Sequence, residues 1–534
     1  MATGETIGFR EAPAALRGAE TPWWERPYTL LALILLSAVP LLWPDIPPLV
    51  DLPGHMGRYK VQLDLDRSAA LQSFYRFEWA LIGNLGVDLL VIPLSKIFGI
   101  ELAVKLIVLA IPPLTVLGFL WVAREVHGWV PPTAFFAVPI AYNFPLLFGF
   151  INFALSMALA FLAFAFWLRL ARLGRFRTRA IVFVPLSLAI WVVHAFGWGT
   201  LGVMAFSAEL VRQLDNKRGF IEAGFRAGVH CLSLVPPMFL MLLWRTGHVG
   251  GSTGDWFNWS AKIDWAMMIL RDRWFWLDVG SLGLIALLLL EAVRNRKLEY
   301  SRNLAASALF LFATYLVLPR IVFGSAYADM RLAPYVLAVA VLAVRFRPGA
   351  SRTLGNILAA LGLAFVLVRT TATTISTYRF DRSYDRELAA LAHVPVGAKL
   401  VSFVGRPCRE GWKMTRLHHL PAMAIVRREA FSNDQWTMAG AQLLSARDRG
   451  ARYFATDPSQ VVIPVGCRSR NWLSIEASLR QFPRAAYDHV WLIDPPPYDP
   501  AVADDLQPLW RNGSSVLYRV APDSLPLPAR QESE

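Results

Sequence analysis

Four stretches of this chain, residues 28–43, 102–122, 150–168 and 281–290, run almost without a charged side chain. About 20 apolar residues suffice to cross a hydrocarbon core of roughly 30 Å. Backbone placed there must satisfy its own hydrogen bonds, as a helix does. The composition agrees: of 534 residues, 55% are hydrophobic and only 17% charged, against about 25% charged in soluble domains. A soluble enzyme, a disordered chain, a fibrous repeat and a disulfide-rich scaffold are excluded. The fold class expected is an all-α polytopic membrane bundle followed by a small C-terminal α/β domain.

The formal net charge of +14 does not point to nucleic acid, because the basic residues sit in short clusters between apolar runs. Lys and Arg in such loops mark the cytoplasmic side. The clusters are Arg169, Arg172, Arg175, Arg177 and Arg179; then Arg212, Lys217 and Arg218; then Arg294, Arg296 and Lys297; then Arg345, Arg347 and Arg352. Each successive pair of clusters leaves room for two crossings: 180–193 with 195–211, 219–244 with 274–293, and 304–318 with 334–344. A last span, 354–371, exports the remainder. In the front half, 79–98 is broken by Asn84, Gly86, Asp88 and Pro93 and reads as an interfacial or re-entrant element. Parity then gives about eleven spans and a cytoplasmic N-terminus; a twelfth crossing at 79–98 would reverse it. The polar start, with Arg10, Arg17 and Arg26, lacks a small-residue cleavage site, so the first span stays as an anchor.

The expected partition is a cytoplasmic tail over 1–27, a membrane domain over 28–375 with a long exported loop at 44–78, and an extracytoplasmic domain over 376–534. In the last region, 399–404, 451–456, 490–493 and 515–520 read as strands, and 384–392 and 501–509 as helices. Cys231 lies in an apolar run and reads as a small core residue. Cys408 and Cys467 are the only cysteines of the exported region, and an oxidising compartment allows them to pair. Two cysteines alone make no metal site.

The segment Asp51-Leu-Pro-Gly-His55-Met-Gly-Arg58 carries the most chemistry. Asp51 suits a helix N-cap with Pro53 in the first turn, which places Asp51, His55 and Arg58 on one helical face. A carboxylate beside an imidazole and a guanidinium suits acid–base work next to an anion. The alternative is an amphipathic interfacial helix capped by Asp51, with Arg58 and Lys60 on lipid headgroups. His194 falls at a helix end on the same side, as a phosphate or sugar ligand or as an interfacial residue. Arg320 and Arg331 bracket a turn there against the positive-inside bias; an arginine near membrane depth needs an anionic partner. Asp329 is one candidate for that partner and a lipid-linked phosphate the other. The tryptophans at 256, 259, 265, 274 and 276 suit membrane interfaces, and indoles also stack on sugars. The chain has no Gly-Lys-Thr phosphate loop, no His-Glu-x-x-His and no Gly-x-Ser-x-Gly.

In layout the chain resembles the GT-C superfamily of membrane glycosyltransferases, which use polyprenyl-phosphate-linked sugars. An N-in first span, a long exported loop with an early acidic residue, a helical bundle and an exported C-terminal domain recur in that order. Gly99–Leu106 looks like the entry to the family's second span, and Arg331-Leu-Ala-Pro-Tyr335 like its late Arg-containing entry, where the lipid phosphate is held. The resemblance implies that Asp51, or secondarily Asp45, is the catalytic carboxylate, and that His55, Arg58, His194, Arg320 and Arg331 bind phosphate or sugar. It implies a polyprenyl-phosphate sugar donor, an envelope glycan or lipid acceptor, and a bacterial inner-membrane location. The second exported turn, Asn143 to Asn152, lacks an Asp-x-Asp pair, so no motif supports a divalent metal cofactor. Two other classes remain open on the sequence: a transporter or flippase of lipid-linked glycans, and a non-catalytic glycan assembly or sensor protein.

Overall fold

A computed structural model describes residues 21–248, 252–437, 442–447 and 450–521. The first 20 residues of the expected cytoplasmic tail lie outside the described residues. The chain forms two compact units: Met1–Trp43, Leu81–Leu90 and Leu106–Ser376 make the first, and Pro44–Ala80, Val91–Lys105 and Thr377–Glu534 the second.

The first unit is helical. Its centre is the helix Ile151–Arg172, whose alanines let neighbours approach and which is buried almost all round. Phe161 of this helix meets Phe119 edge-on at 4.8 Å, and Trp167 meets Phe183 at 4.9 Å. The helix Ala195–Asp215 packs so tightly here that a β-carbon on Gly197 would stand 2.6 Å from the Ser156 carbonyl oxygen. Only glycine fits that contact. Phe176–Val193 and Phe275–Arg294 instead leave most of their apolar surface uncovered, as suits contact with lipid chains.

Five helices among the described residues are long and apolar enough to cross a membrane, or six if the bent pair Phe220–His230 and Leu232–Leu242 is one span. The chain is an integral membrane protein. Length and composition therefore single out about half of the eleven crossings read from charge parity. Several of the others fall on shorter elements such as Pro132–Phe148 and Arg302–Val317, and 195–211 on the less apolar 21-residue helix Ala195–Asp215. In the former, Pro132, Pro139 and Pro145 lack amide hydrogens, and the chain runs as a buried 3-10 helix, Pro132–Tyr142, followed by the short helix Phe144–Phe148. The polar break near Asn84 and Asp88 docks on Asn152, whose amide nitrogen donates to the Asn84 carbonyl and the Asp88 carboxylate, each at 3.0 Å. Charges inside the unit are paired: Arg369 with Asp278 at 2.6 Å, Arg179 with Glu209 at 2.6 Å and Arg172 with Glu125 at 2.8 Å, as low-dielectric surroundings require.

The second unit is built on a sheet with strands β1 Lys399–Gly405, β2 Phe431–Ser432, β3 Val461–Ile463, β4 Leu473–Ser474, β5 His489–Ile493, β6 Leu506–Asn512 and β7 Ser515–Val520. Its order is β6-β7-β5-β1-β3-β4, with β2 alongside the first residues of β1. The inner pairs are parallel, whereas β5–β7 and β6–β7 are antiparallel. Two sequence expectations differ from this. Residues 451–456 form no strand but a 3-10 turn, Arg452–Ala455, because Arg452 takes a positive φ of 52° and Ala451 and Phe454 turn inward together. The helix expected over 501–509 is a single 3-10 turn, Pro500–Ala503, capped by Asp499, after which the chain enters β6. Pro508 is tolerated there because β6 is an edge strand with a bulge. The segment after the first apolar helix belongs to this unit: its helix Leu52–Asp64 packs on Met423–Arg428, and its strand Tyr75–Phe77 pairs with Leu444–Ala446.

Candidate functional site

Asp51 stands at the start of the helix Leu52–Asp64, yet its side chain caps nothing. An N-cap carboxylate accepts from the second or third helical amide with extended backbone. Here the second position is Pro53, without an amide hydrogen, and Asp51 itself takes helical angles, φ −88° and ψ −9°. The capping role expected from sequence is thus corrected by the neighbouring proline. The carboxylate, buried to 8% exposure, lies 3.9 Å from His419 Nε2.

Sequence reasoning passed over His419 entirely. It follows His418 at the edge of the buried 3-10 turn Leu420–Ala422, and its ring lies against Trp436 with centroids 4.3 Å apart. Its Nδ1 faces the main-chain oxygen of Asp434 at 3.2 Å and the Asp434 carboxylate at 3.9 Å. Burial disfavours the charged ring, but Asp434, Asp457 and Asp51 outweigh burial and hold its pKa up to about 9. His418 is driven down to about 3 by burial, then by Arg406 and His419. The structure buries beside it the polar run Ser432-Asn433-Asp434-Gln435.

His55 and Arg58 follow on the same helix. Burial, Arg58 and His419 together keep the His55 pKa well below its usual value, so its ring is neutral. It sits 5.2 Å from the Trp436 ring, and its Nδ1 has no hydrogen-bond partner among the described residues. Arg58 is buried, donates to Gln442 Oε1 at 2.6 Å and stacks on Tyr59 at 5.1 Å. Lys60 bridges Asp64 and Glu429.

The other three sequence candidates belong to the first unit. His194 Nδ1 accepts the Phe196 amide at 3.1 Å and so caps the helix Ala195–Asp215. Burial, then Arg331, keeps its pKa well below the ordinary value. The Arg331 guanidinium lies 4.3 Å over the Phe150 ring and 5.7 Å from that of Phe196, with Nη1 donating to Ser325 Oγ at 3.2 Å. Arg320 pairs with Asp255 at 3.2 Å. The fully buried Asp329 carboxylate is held by Lys262 at 3.2 Å. Lys262 lies 67 residues away in sequence and was not visible as its partner.

Cys408 and Cys467 are disulfide-bonded with Cα atoms 5.6 Å apart, and Cys231 is a free thiol. Among the described residues no three His, Cys, Asp or Glu side chains form a metal-binding group.

No protein-family model and no curated protein matches the chain. Among solved structures, ArnT from Cupriavidus metallidurans bound to undecaprenyl phosphate matches with a TM-score of 0.50 and 12% identity, over 93% of this chain and 98% of that one. The apo state of the same protein aligns over the same shares with a TM-score of 0.47 and 13% identity. At this identity the likeness concerns the fold alone: the chain has an ArnT-like architecture.

Proposed function

We propose that this protein is a membrane glycosyltransferase that moves a sugar from a polyprenyl-phosphate-linked donor to an acceptor on the extracytoplasmic face of a bacterial inner membrane. One observation carries the reading: the Asp51 carboxylate, on the segment just after the first apolar helix, is nearly buried, is released from helix capping and lies beside His419. The fold likeness to an ArnT structure bound to undecaprenyl phosphate supports a lipid-phosphate partner.

Asp51 is assigned the proton of the acceptor hydroxyl as the new glycosidic bond forms. The departing prenyl phosphate needs a cation in a dry setting. Arg331, whose guanidinium stacks on Phe150 and donates to Ser325 Oγ, is assigned that role, with Arg320 and His194 as further phosphate or sugar contacts. His55 and Arg58 are assigned the immediate surroundings of Asp51 within the second unit. The N-terminus is placed in the cytoplasm, and the region after 376 outside it.

The test is release of free undecaprenyl phosphate from a panel of undecaprenyl-phosphate sugars by the purified chain in proteoliposomes. Release from at least one donor, dependent on added acceptor glycan or lipid, supports the reading. No release from any donor, with folded protein, contradicts it.

A further inference from the structure

We propose that His419 is a positioning residue that stays protonated between Asp51 and Asp434 and thereby keeps Asp51 ionised for proton abstraction. This rests on the reading of Asp51 as the base.

The geometry favours the charged ring. His419 Nδ1 lies 3.2 Å from the Asp434 carbonyl oxygen, a contact that is favourable only if Nδ1 carries a hydrogen. In the neutral ring Nε2 would then aim a lone pair at the Asp51 carboxylate, 3.9 Å away. A second proton turns that repulsion into attraction. Asp434 favours the charge from the other side as well. It is 0% exposed; its Oδ1 accepts from Ser432 Oγ at 2.8 Å, while Oδ2 has no hydrogen bond among the described residues and lies 3.9 Å from His419 Nδ1. A buried carboxylate needs a nearby cation. The Trp436 ring, 4.3 Å from the imidazole, covers it and favours the cationic form.

The charged and titratable groups around His419 are consistent with this. Asp51, His55 and Arg58 come from the helix Leu52–Asp64, Asp434 and Asp457 from the loops beyond β2 and before β3, and His418 from its own turn. His55 and His418 are neutral, so they add no positive charge, and three carboxylates act on His419, while Arg58 acts on His55 and Arg406 on His418. Tyr384, which donates to the Arg416 carbonyl at 2.6 Å, is close enough to Asp51 to feel its charge.

In the reaction, the acceptor oxygen bonds to the anomeric carbon, the bond from that carbon to the phosphate oxygen breaks, and the acceptor's proton passes to Asp51. His419 keeps its own two protons throughout. Its contribution is to hold Asp51 as an anion at pH values where an isolated buried carboxyl would be neutral.

Two measurements test this on the full-length chain. The first needs no donor: in histidine-selectively ¹⁵N-labelled protein, the resonances lost in His419→Gln should be those of a doubly protonated imidazole at pH 8, and should become neutral in Asp434→Asn. A neutral His419 at pH 8 in the unaltered protein overturns the proposal. The second follows undecaprenyl-phosphate release against pH. His419→Gln should move the acid limb of kcat/KM upward by about one pH unit or more, with KM changed less than about twofold. Asp434→Asn should move it the same way, by less. An unmoved limb in folded His419→Gln protein, with Asp51→Asn inactive, overturns the role of His419 and leaves the base assignment standing. Full activity in Asp51→Asn overturns the base assignment and, with it, the proposal.

Discussion

Gly54 lies so close to Trp436 that a β-carbon built on it would stand 2.7 Å from the indole Cη2. This contact seats the first turn of the Leu52–Asp64 helix on the indole that also covers His419 and His55. Gly54→Ala must push the ring aside, and overpacking of this kind costs about 1–3 kcal/mol. The substitution should lower the melting temperature and reduce sugar transfer together. Alanine at Gly280, which meets nothing within 4 Å, should leave transfer unchanged.

Lys262 and Asp329 give a second, independent test. The ammonium donates to the Tyr315 and Leu318 carbonyls at 2.8 Å each besides the carboxylate, and both side chains are buried. Removing one partner strands a charge, at a cost of about 3–5 kcal/mol. Lys262→Met or Asp329→Leu alone should severely reduce the yield of folded protein. The double variant should recover much of it, as read by size-exclusion chromatography and thermal melting.

Arg331 should resist conservative replacement. Its planar guanidinium rests on Phe150, and a lysine ammonium cannot reproduce both stacking and a forked phosphate contact. Under the proposed function, Arg331→Ala should lower kcat by about 10²–10³-fold, and Arg331→Lys should recover only part of this, in undecaprenyl-phosphate release assays.

Stability should peak near neutral pH. His419 has a folded-state pKa raised from 6.5 to about 9, so its contribution is complete below pH 6.5 and lost as the pH rises through 9. The shift corresponds to about 3 kcal/mol. His418, lowered from 6.5 to about 3, acts oppositely: its contribution is complete above pH 6.5 and lost as the pH falls toward 3. Thermal melts from pH 4 to 10 should fall on both sides, and His419→Gln should flatten the alkaline side.

The Cys408–Cys467 bridge spans a sequence separation of 59, for which the chain-entropy account gives about 4 kcal/mol. Cys408→Ser should lower the melting temperature of the second unit's transition. Reduction of the unaltered protein should reproduce that loss.

The sequence made some of this legible and hid the rest for identifiable reasons. Runs without charge, such as 150–168, announce their helix because burying a charge in lipid is costly and nothing local compensates. His55 and Arg58 fall on the helix that begins just after Asp51, at the spacing a period of 3.6 gives to one face. The failure of Asp51 to cap was also present in the sequence, in the missing amide of Pro53. His419 and Asp434 carry no such signal: they are 15 residues apart, joined by a loop, and nothing periodic connects them to Asp51. Lys262 and Asp329 likewise meet only through helix packing. The turn at 451–456 reads as a strand by its aromatic and apolar content, whereas the positive φ of Arg452 is a tertiary choice that composition does not encode.

The most direct measurement is a single-turnover comparison of Asp51→Asn with the unaltered chain, both reconstituted with the undecaprenyl-phosphate sugar that supports release. Asparagine keeps the shape and removes the proton acceptor, so folded variant protein should still bind the donor while release of undecaprenyl phosphate slows by at least about 10²-fold. Release at the unaltered rate from Asp51→Asn would contradict the account.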